Sequence, residues 1–250
     1  MSRSIVLCYH ALSPSWQADL STTPQRFERQ ISLLIGRGYR PITFTEAAYT
    51  QPGGRTIAIT FDDAYLSVLE LARPILDSFA APATVFVPTD YIGHDGALRW
   101  PGIDRWHGGA DEHELTPMSW SQLQTLARAG WEIGSHTGSH PHLTKLDNLA
   151  LADELARSKA TCEAHIGTPC TSLAYPYGDV DERVVAATAS AGYRAAAALP
   201  SRLDSVDPLR WPRVGVYRVD YDLRFRVKLS PAMLYLRRSR AWEWLARARR

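Results

Sequence analysis

Asp62 and Asp63 stand side by side at the end of an apolar run, Thr56-Ile57-Ala58-Ile59-Thr60-Phe61. Adjacent carboxylates raise one another's pKa unless a cation lies beside them. A divalent ion meets that need: one carboxylate binds it while its neighbour stays free as a base. Capping of a helix N-terminus is the other common use of such a pair. His136 and His140, in Ser135-His136-Thr137-Gly138-Ser139-His140, are spaced so that both can face one metal. The residues between them lack the Glu of the zinc-protease helix, and they suit a loop or single turn; alone, the two could be surface or capping histidines. One carboxylate plus two imidazoles gives three protein ligands with open positions, the arrangement of a catalytic rather than a structural metal site. Such a set takes Zn²⁺, Fe²⁺, Co²⁺ or Ni²⁺, and ligand type alone does not choose among them. Non-haem iron oxygenases use the same ligand types, but with the acid close to the first His on a β-sandwich; here the Asp precedes both histidines in an α/β pattern.

Something must carry these groups to one place. Ile5–Tyr9 reads as a strand buried on both faces that stops at His10. A helix from Thr23-Pro24 follows, with Phe27, Ile31 and Leu34 on one face. Further strands are expected at 39–42, 56–61, 83–87, 131–135, 172–175, 193–198 and 213–217. Helices are expected at 45–49, 65–79, 119–129, 148–166 and 181–191. Residues 88–117, rich in Gly, Pro, Asp, His and Trp, read as a loop inserted on the functional rim. Alternation of strand and helix argues for a parallel sheet with helices outside: one α/β domain of barrel type, with an open doubly wound sheet as the runner-up. His10, Asp62-Asp63, His136 and Tyr177 each fall just past the C-terminal end of an expected strand, where parallel α/β folds build their sites.

The chain has 250 residues, 45% apolar and 22% charged, which excludes disorder, collagen and coiled coil. Its net charge of +2 is uneven. Residues 221–250 carry +7 and the remaining body −5, so no nucleic-acid partner is expected. The boundaries read as a barrel domain over 1–220 and a basic amphipathic tail over 221–250. Within 231–250, Leu234, Leu236, Trp242, Trp244 and Leu245 mix with Arg237, Arg238, Arg240, Arg247, Arg249 and Arg250. That mixture suits a peripheral membrane surface or an acidic partner, or else a terminal helix packed by its apolar side. A membrane contact would favour a lipid-linked saccharide over a finished polymer. Cys8, Cys162 and Cys170 fit no zinc ribbon and read as reduced, partly buried thiols. With no signal-peptide core and no membrane-span run, a cytoplasmic location is expected, peripheral to the inner membrane face if the tail binds there.

Thr60-Phe61-Asp62-Asp63, His136-Thr137-Gly138-Ser139-His140 and Tyr175-Pro176-Tyr177-Gly178, in that order, resemble the polysaccharide deacetylases (carbohydrate esterase family 4, the NodB homology domain) over about residues 5–217. The resemblance implies a distorted (β/α) barrel of about seven parallel strands with outer helices. It implies Asp62 as catalytic base and Asp63, His136 and His140 as ligands of one divalent metal, zinc first, with cobalt, nickel or iron as alternatives. Tyr177, through its backbone N–H, and Pro176 take the oxyanion and substrate-binding place. Two departures follow. The family often has an Arg, which orients the base, where this chain has Ala174; Arg213 is the expected substitute, with Arg210 second. The family's C-terminal Leu-x-His is missing, and Leu7-Cys8-Tyr9-His10 resembles the subgroup in which that strand comes first. Tyr9-His10, Phe27 with Leu33-Leu34, and Gly38-Tyr39 belong to the same likeness, and His10 becomes the expected general acid.

The expected reaction is therefore metal-dependent removal of an N-acetyl group from an amino sugar in a polysaccharide, oligosaccharide or lipid-linked glycan. The alternatives are a deformylase of a lipid-linked formamido sugar and, because of Ala174, an inactive saccharide-binding relative. Trp100 and Trp106 are expected at the rim as platforms for sugar rings, and Trp120 and Trp131 in the core. His94, His107, His113 and His142 read as solvated loop residues.

Overall fold

The computed structural model describes residues 4–49, 54–94, 96–200, 202–203, 207–239 and 242. Eleven strands run β1 (Ile5–Tyr9), β2 (Ala11–Leu12), β3 (Ser21–Thr22), β4 (Arg40–Ile42), β5 (Thr56–Phe61), β6 (Thr84–Val87), β7 (Glu132–Ser135), β8 (Ser172–Ala174), β9 (Ala195–Ala198), β10 (Trp211–Pro212) and β11 (Val214–Gly215). The α-helices are α1 (Pro24–Gly36), α2 (Phe44–Tyr49), α3 (Arg73–Ser78), α4 (Trp120–Arg128), α5 (Asn148–Ile166), α6 (Glu182–Ser190), α7 (Asp222–Lys228) and α8 (Pro231–Leu236). β2 and β3 form a separate small pair, and all other strands join one parallel sheet in the order β10-β9-β8-β7-β6-β5-β1-β11.

The ends of that order meet. β10 pairs with β9, β11 pairs with β1, and a single residue, Arg213, separates β10 from β11. Arg213 N–H donates to Ala198 C=O at 3.0 Å and Val216 N–H to Cys8 C=O at 2.8 Å. The chain thus crosses the seam and nearly closes the barrel, which replaces the doubly wound alternative. It also breaks the strand expected at 213–217 into two short pieces, because each piece must pair with a different neighbour. β4 adds the distortion. β1 occupies one edge of β5, so β4 (at 56–58) and β6 (at 60–61) share the other.

Strand side chains alternate between two apolar clusters, as the period of two requires. Outward-facing Ile5, Leu7, Ile57, Ile59, Val85 and Leu173 pack under the helices. Inward-facing Val6, Ala58, Phe86, Ala174, Ala195 and Ala197 make a small interior cluster. Space there is short: a Cβ on Gly134 would meet the Phe86 ring at 2.7 Å and Ser172 Oγ at 2.5 Å. The helices start where the sequence supplies caps. Thr23, Asp147 and Asp181 accept N–H bonds, and Ser119 with Gln122 forms a capping box. The helix expected over 65–79 is instead a wide π-turn (Val68–Ala72) running into α3. Pro74 has no N–H to return to the preceding turn, and the chain widens just before it.

The described residues of 88–117 carry only single 3₁₀ turns, yet Leu98, Trp100, Ile103 and Leu115 bury the loop against the body. α7 and α8 also lie on the body: Phe225 and Leu229 are buried in the main core and Leu234 packs against it. The expectations placed on Arg240, Trp244, Leu245, Arg247, Arg249 and Arg250 lie outside the described residues. Among the described residues, no helix is long and apolar enough to cross a membrane. The three cysteines are free and buried.

Candidate active site

Asp63, His136 and His140 converge at the C-terminal mouth of the barrel. Asp63 Oδ1 lies 3.4 Å from His136 Nε2 and 3.5 Å from His140 Nε2, and the imidazole ring centres are 4.8 Å apart. All three residues are buried. His136 Nδ1 lies 2.8 Å from Ala174 C=O, which assigns its proton to Nδ1 and turns the Nε2 lone pair towards Asp63. Asp63 Oδ1 and His140 Nδ1 have no hydrogen-bond partner among the described residues. Three buried acceptor atoms aimed at one another repel unless a cation lies between them, and a carboxylate with two imidazoles is a donor set that fits a divalent ion. Burial pushes the Asp63 carboxyl up; with a proton in the place of an ion on the facing nitrogens of His136 and His140, their hydrogen bonds and charge hold it well below the usual carboxylate range. Burial lowers both histidines. Asp62 and Asp63 more than reverse this for His136, whereas burial still prevails at His140.

The backbone bends to make this arrangement. Asp63, Ala64, Thr137, His140 and Tyr177 all have φ between +53° and +70°, a region costly for residues with a Cβ. Five of the six such non-glycine residues among those described therefore gather at one mouth. Glu154, reaching over from α5, holds the turn between the histidines. It accepts from the N–H groups of Gly138 (2.7 Å) and Ser139 (3.0 Å) and from Ser139 Oγ (2.5 Å). A Cβ at position 138 would sit 2.6 Å from Arg157 Nη2 and 2.9 Å from Glu154 Oε2, so any larger residue would push aside the side chains that hold this turn.

Asp62 is buried beside this triad, its Oδ2 4.0 Å from His136 Nε2. Arg213, also fully buried, grips it with both arms: Nη1 donates to Oδ1 at 2.6 Å and Nη2 to Oδ2 at 2.8 Å. Nη1 also donates to Thr60 Oγ1 at 3.0 Å, and Cys8 Sγ stands 3.4 Å from Oδ2. Burial pushes the Asp62 carboxyl up, and the Arg213 guanidinium outweighs it, holding the pKa at about 2. Arg213, the residue expected to substitute for the arginine absent at Ala174, thus reaches Asp62 from the seam. Arg210 pairs instead with Glu182 at 2.7 Å. Cys8, His10 and Asp62 also cluster within 4.8 Å, but the guanidinium already gives Asp62 its countercharge.

His10 follows β1 at the same mouth, its Nδ1 buried and without a partner among the described residues. Burial lowers its pKa below the ordinary value, and Asp63 and Asp62 offset only part of that. Pro176 is buried. Tyr177 is 41% exposed, its ring 4.7 Å from His140 and stacked at 4.1 Å on His142. His142 also approaches Asp179 at 3.3 Å and so is not merely solvated. Nor is His107, whose two ring nitrogens meet Glu112 and Leu98 C=O. Trp100 differs from its expected rim role: 6% exposed, it stacks on His140 at 4.1 Å and meets Tyr91 edge-on at 5.0 Å. Its indole backs His140 rather than offering a free face to a sugar. Trp106 packs on Trp16, Trp131 on Phe61, and Trp120 on His165. The sequence reading did not include Glu154 or the Ala174 carbonyl. Only the polar Glu on an inward helix face could have hinted at the first.

Residues 49–196 fit the family described as Polysaccharide deacetylase. YxkH of Bacillus subtilis, provisionally named a polysaccharide deacetylase, is 27% identical over 91% of this chain and 72% of its own. A poly-β-1,6-N-acetyl-D-glucosamine N-deacetylase of Staphylococcus aureus is 24% identical over 70% of this chain, which spans 60% of that protein. In fold, the chain resembles the Bacillus cereus polysaccharide deacetylase BC0361 (TM-score 0.74, 24% identity, 92% of this chain and 69% of that one). It also resembles IcaB from Ammonifex degensii (TM-score 0.70, 24% identity, 96% and 98%). The matched segment covers more than half of the chain and includes Asp62, Asp63, His136, His140 and Tyr177, and the chain belongs to the polysaccharide deacetylase family.

Proposed function

We propose that this chain is a metal-dependent carbohydrate N-deacetylase that releases acetate from an N-acetylated amino sugar. The observation that carries the reading is the pair of adjacent carboxylates with divided tasks: Asp63 faces two imidazole nitrogens while Asp62 is held apart by Arg213. Asp63, His136 and His140 would hold a divalent ion, zinc first, which would supply Lewis acidity. Asp62 stays ionised and accepts the proton of the attacking water. Arg213 fixes the plane of that carboxylate and prevents it from turning into the triad. His10 donates a proton to the leaving amine, and the Tyr177 N–H, beside Pro176, stabilises the oxyanion. The contact of Arg213 with Asp62, in a chain that has Ala174 where the family often has an arginine, favours this reading over an inactive relative. The staphylococcal relative is named for N-acetylglucosamine polymers, and the same acylated hexosamine class is the substrate assigned to this chain.

The test is release of free amine from a panel of N-acetylated saccharides by zinc-loaded protein. Turnover is expected to need the metal and to be bell-shaped in pH. Asp62 must be ionised, so the acidic limb lies low. His10 must be protonated, and its depressed pKa sets the basic limb below the ordinary imidazole range. Full activity in the presence of a strong chelator, or in Asp62→Asn, would refute the reading.

A further inference from the structure

Beside the catalytic mouth, between the seam of the barrel and the two C-terminal helices, lies a cavity of about 590 Å³. That size is ordinary for a small-molecule site, roughly 300–1,000 Å³. Arg213, Gly215 and Tyr217 line it from the closing strand, and Arg224, Lys228 and Arg237 from the helical side. Arg213 is common to the cavity and to the catalytic site, since the same guanidinium grips Asp62.

The charges do not balance. Arg213 is neutralised by Asp62. Arg224 and Lys228 share one fully buried carboxylate, Asp220, whose Oδ2 accepts from Lys228 Nζ at 2.6 Å and from the Tyr217 N–H at 2.9 Å, while Arg224 Nε lies 3.2 Å from Oδ1. Arg237 has no carboxylate partner among the described residues. Its Nε is buried without a hydrogen-bond partner, and its guanidinium lies 5.8 Å over the Trp242 ring. Among the described residues, three cations thus face one carboxylate, a surplus of two positive charges in a body that is otherwise slightly acidic. A half-buried guanidinium with unspent donors calls for an anion, and a fork of N–H groups beside an ammonium matches a phosphoryl group.

We propose that this cavity holds a phosphoryl group carried by the saccharide. The substrate is then a phosphorylated N-acetyl amino sugar, either soluble or joined through phosphate to a lipid. This rests on the deacetylase reading for the reaction but not for the binding.

The binding test is calorimetric titration of inorganic phosphate onto the chelator-treated full chain, in which no metal at the triad can take the anion. Saturable binding is expected, weakened about tenfold or more in Arg237→Gln and in Arg224→Gln, with unchanged circular dichroism for each variant. No saturable binding, or wild-type affinity in both variants, overturns the proposal. The turnover test compares an N-acetylhexosamine 1-phosphate, a lipid-diphosphate-linked N-acetylhexosamine and a neutral oligosaccharide. The phosphorylated substrates are expected to be preferred, with Arg237→Gln reducing that preference about tenfold. The better of the two phosphorylated substrates identifies the source. A neutral oligosaccharide turned over best, with Arg237→Gln making no difference to the ranking, overturns the assignment. Phosphate binding without deacetylation of any substrate leaves the cavity standing and refutes the reaction.

Discussion

Two inward-facing carboxylates mark the two ends of the barrel, and their surroundings are opposite. Glu132, at the start of β7, spends its oxygens on neutral donors: the Thr45 N–H at 2.9 Å, Thr84 Oγ1 at 3.1 Å, Ser172 Oγ at 2.6 Å and the Thr45 hydroxyl. At the other end, Asp63 Oδ1 is buried without a partner among the described residues, and beside it Asp62 is held by a buried arginine. The first arrangement is finished and ties β6, β7, β8 and the start of α2 together. The second is left open towards the mouth. A buried polar group without a partner costs stability and persists where function requires it, whereas a fully satisfied one reports structure.

Breaking the open end should have the largest effect. Asp63→Ala or His136→Ala is expected to lose bound metal, measured by elemental analysis, and to lower turnover by about a thousandfold or more. Asp62→Asn should keep the metal and lose about a hundred- to ten-thousandfold in kcat, so metal content and rate separate the two carboxylates. Arg213→Gln removes the cation that holds the Asp62 pKa near 2. The acidic limb of kcat against pH then moves upward, because the carboxylate protonates sooner as pH falls. Chemical denaturation should show a cost of about 3–5 kcal/mol for the buried charge left unpaired. Wild-type stability carries the matching signature: the Asp62 contribution is full above its unfolded pKa of 3.8 and is lost as pH falls towards about 2. The smallest effect on activity is expected at the finished end. Glu132→Gln places an amide against donors and should cost about 1–3 kcal/mol in denaturation while leaving metal content unchanged. Metal loss in that variant would erase the distinction between the two ends.

The strands were readable because parallel strands buried on both faces are written as continuous apolar runs, as in Ile5–Tyr9 and Thr56–Phe61. Caps such as Thr23 and Ser119 marked the helix starts within a residue. Where expectation and structure part, a non-local demand has overridden a local pattern. The strand expected at 213–217 is split by pairing to two neighbours. Trp100 looked like a rim residue from the polar composition of its loop, but its ring is taken up by His140. Glu154 carries no motif, since its partners are the backbone N–H groups of Gly138 and Ser139.

By itself, the sequence determined that polar, ion-binding residue types follow several apolar strands, and strand periodicity sends those positions to a common end. Closure decided the rest. Arg213 stands 151 positions from Asp62 and meets it only because the last strand bridges both edges of the sheet. The cationic cavity likewise exists only once α7 and α8 fold back over that seam. Side-chain type is a local property, whereas the partner that neutralises a buried charge is fixed by which strands become neighbours, and no short stretch of chain encodes that.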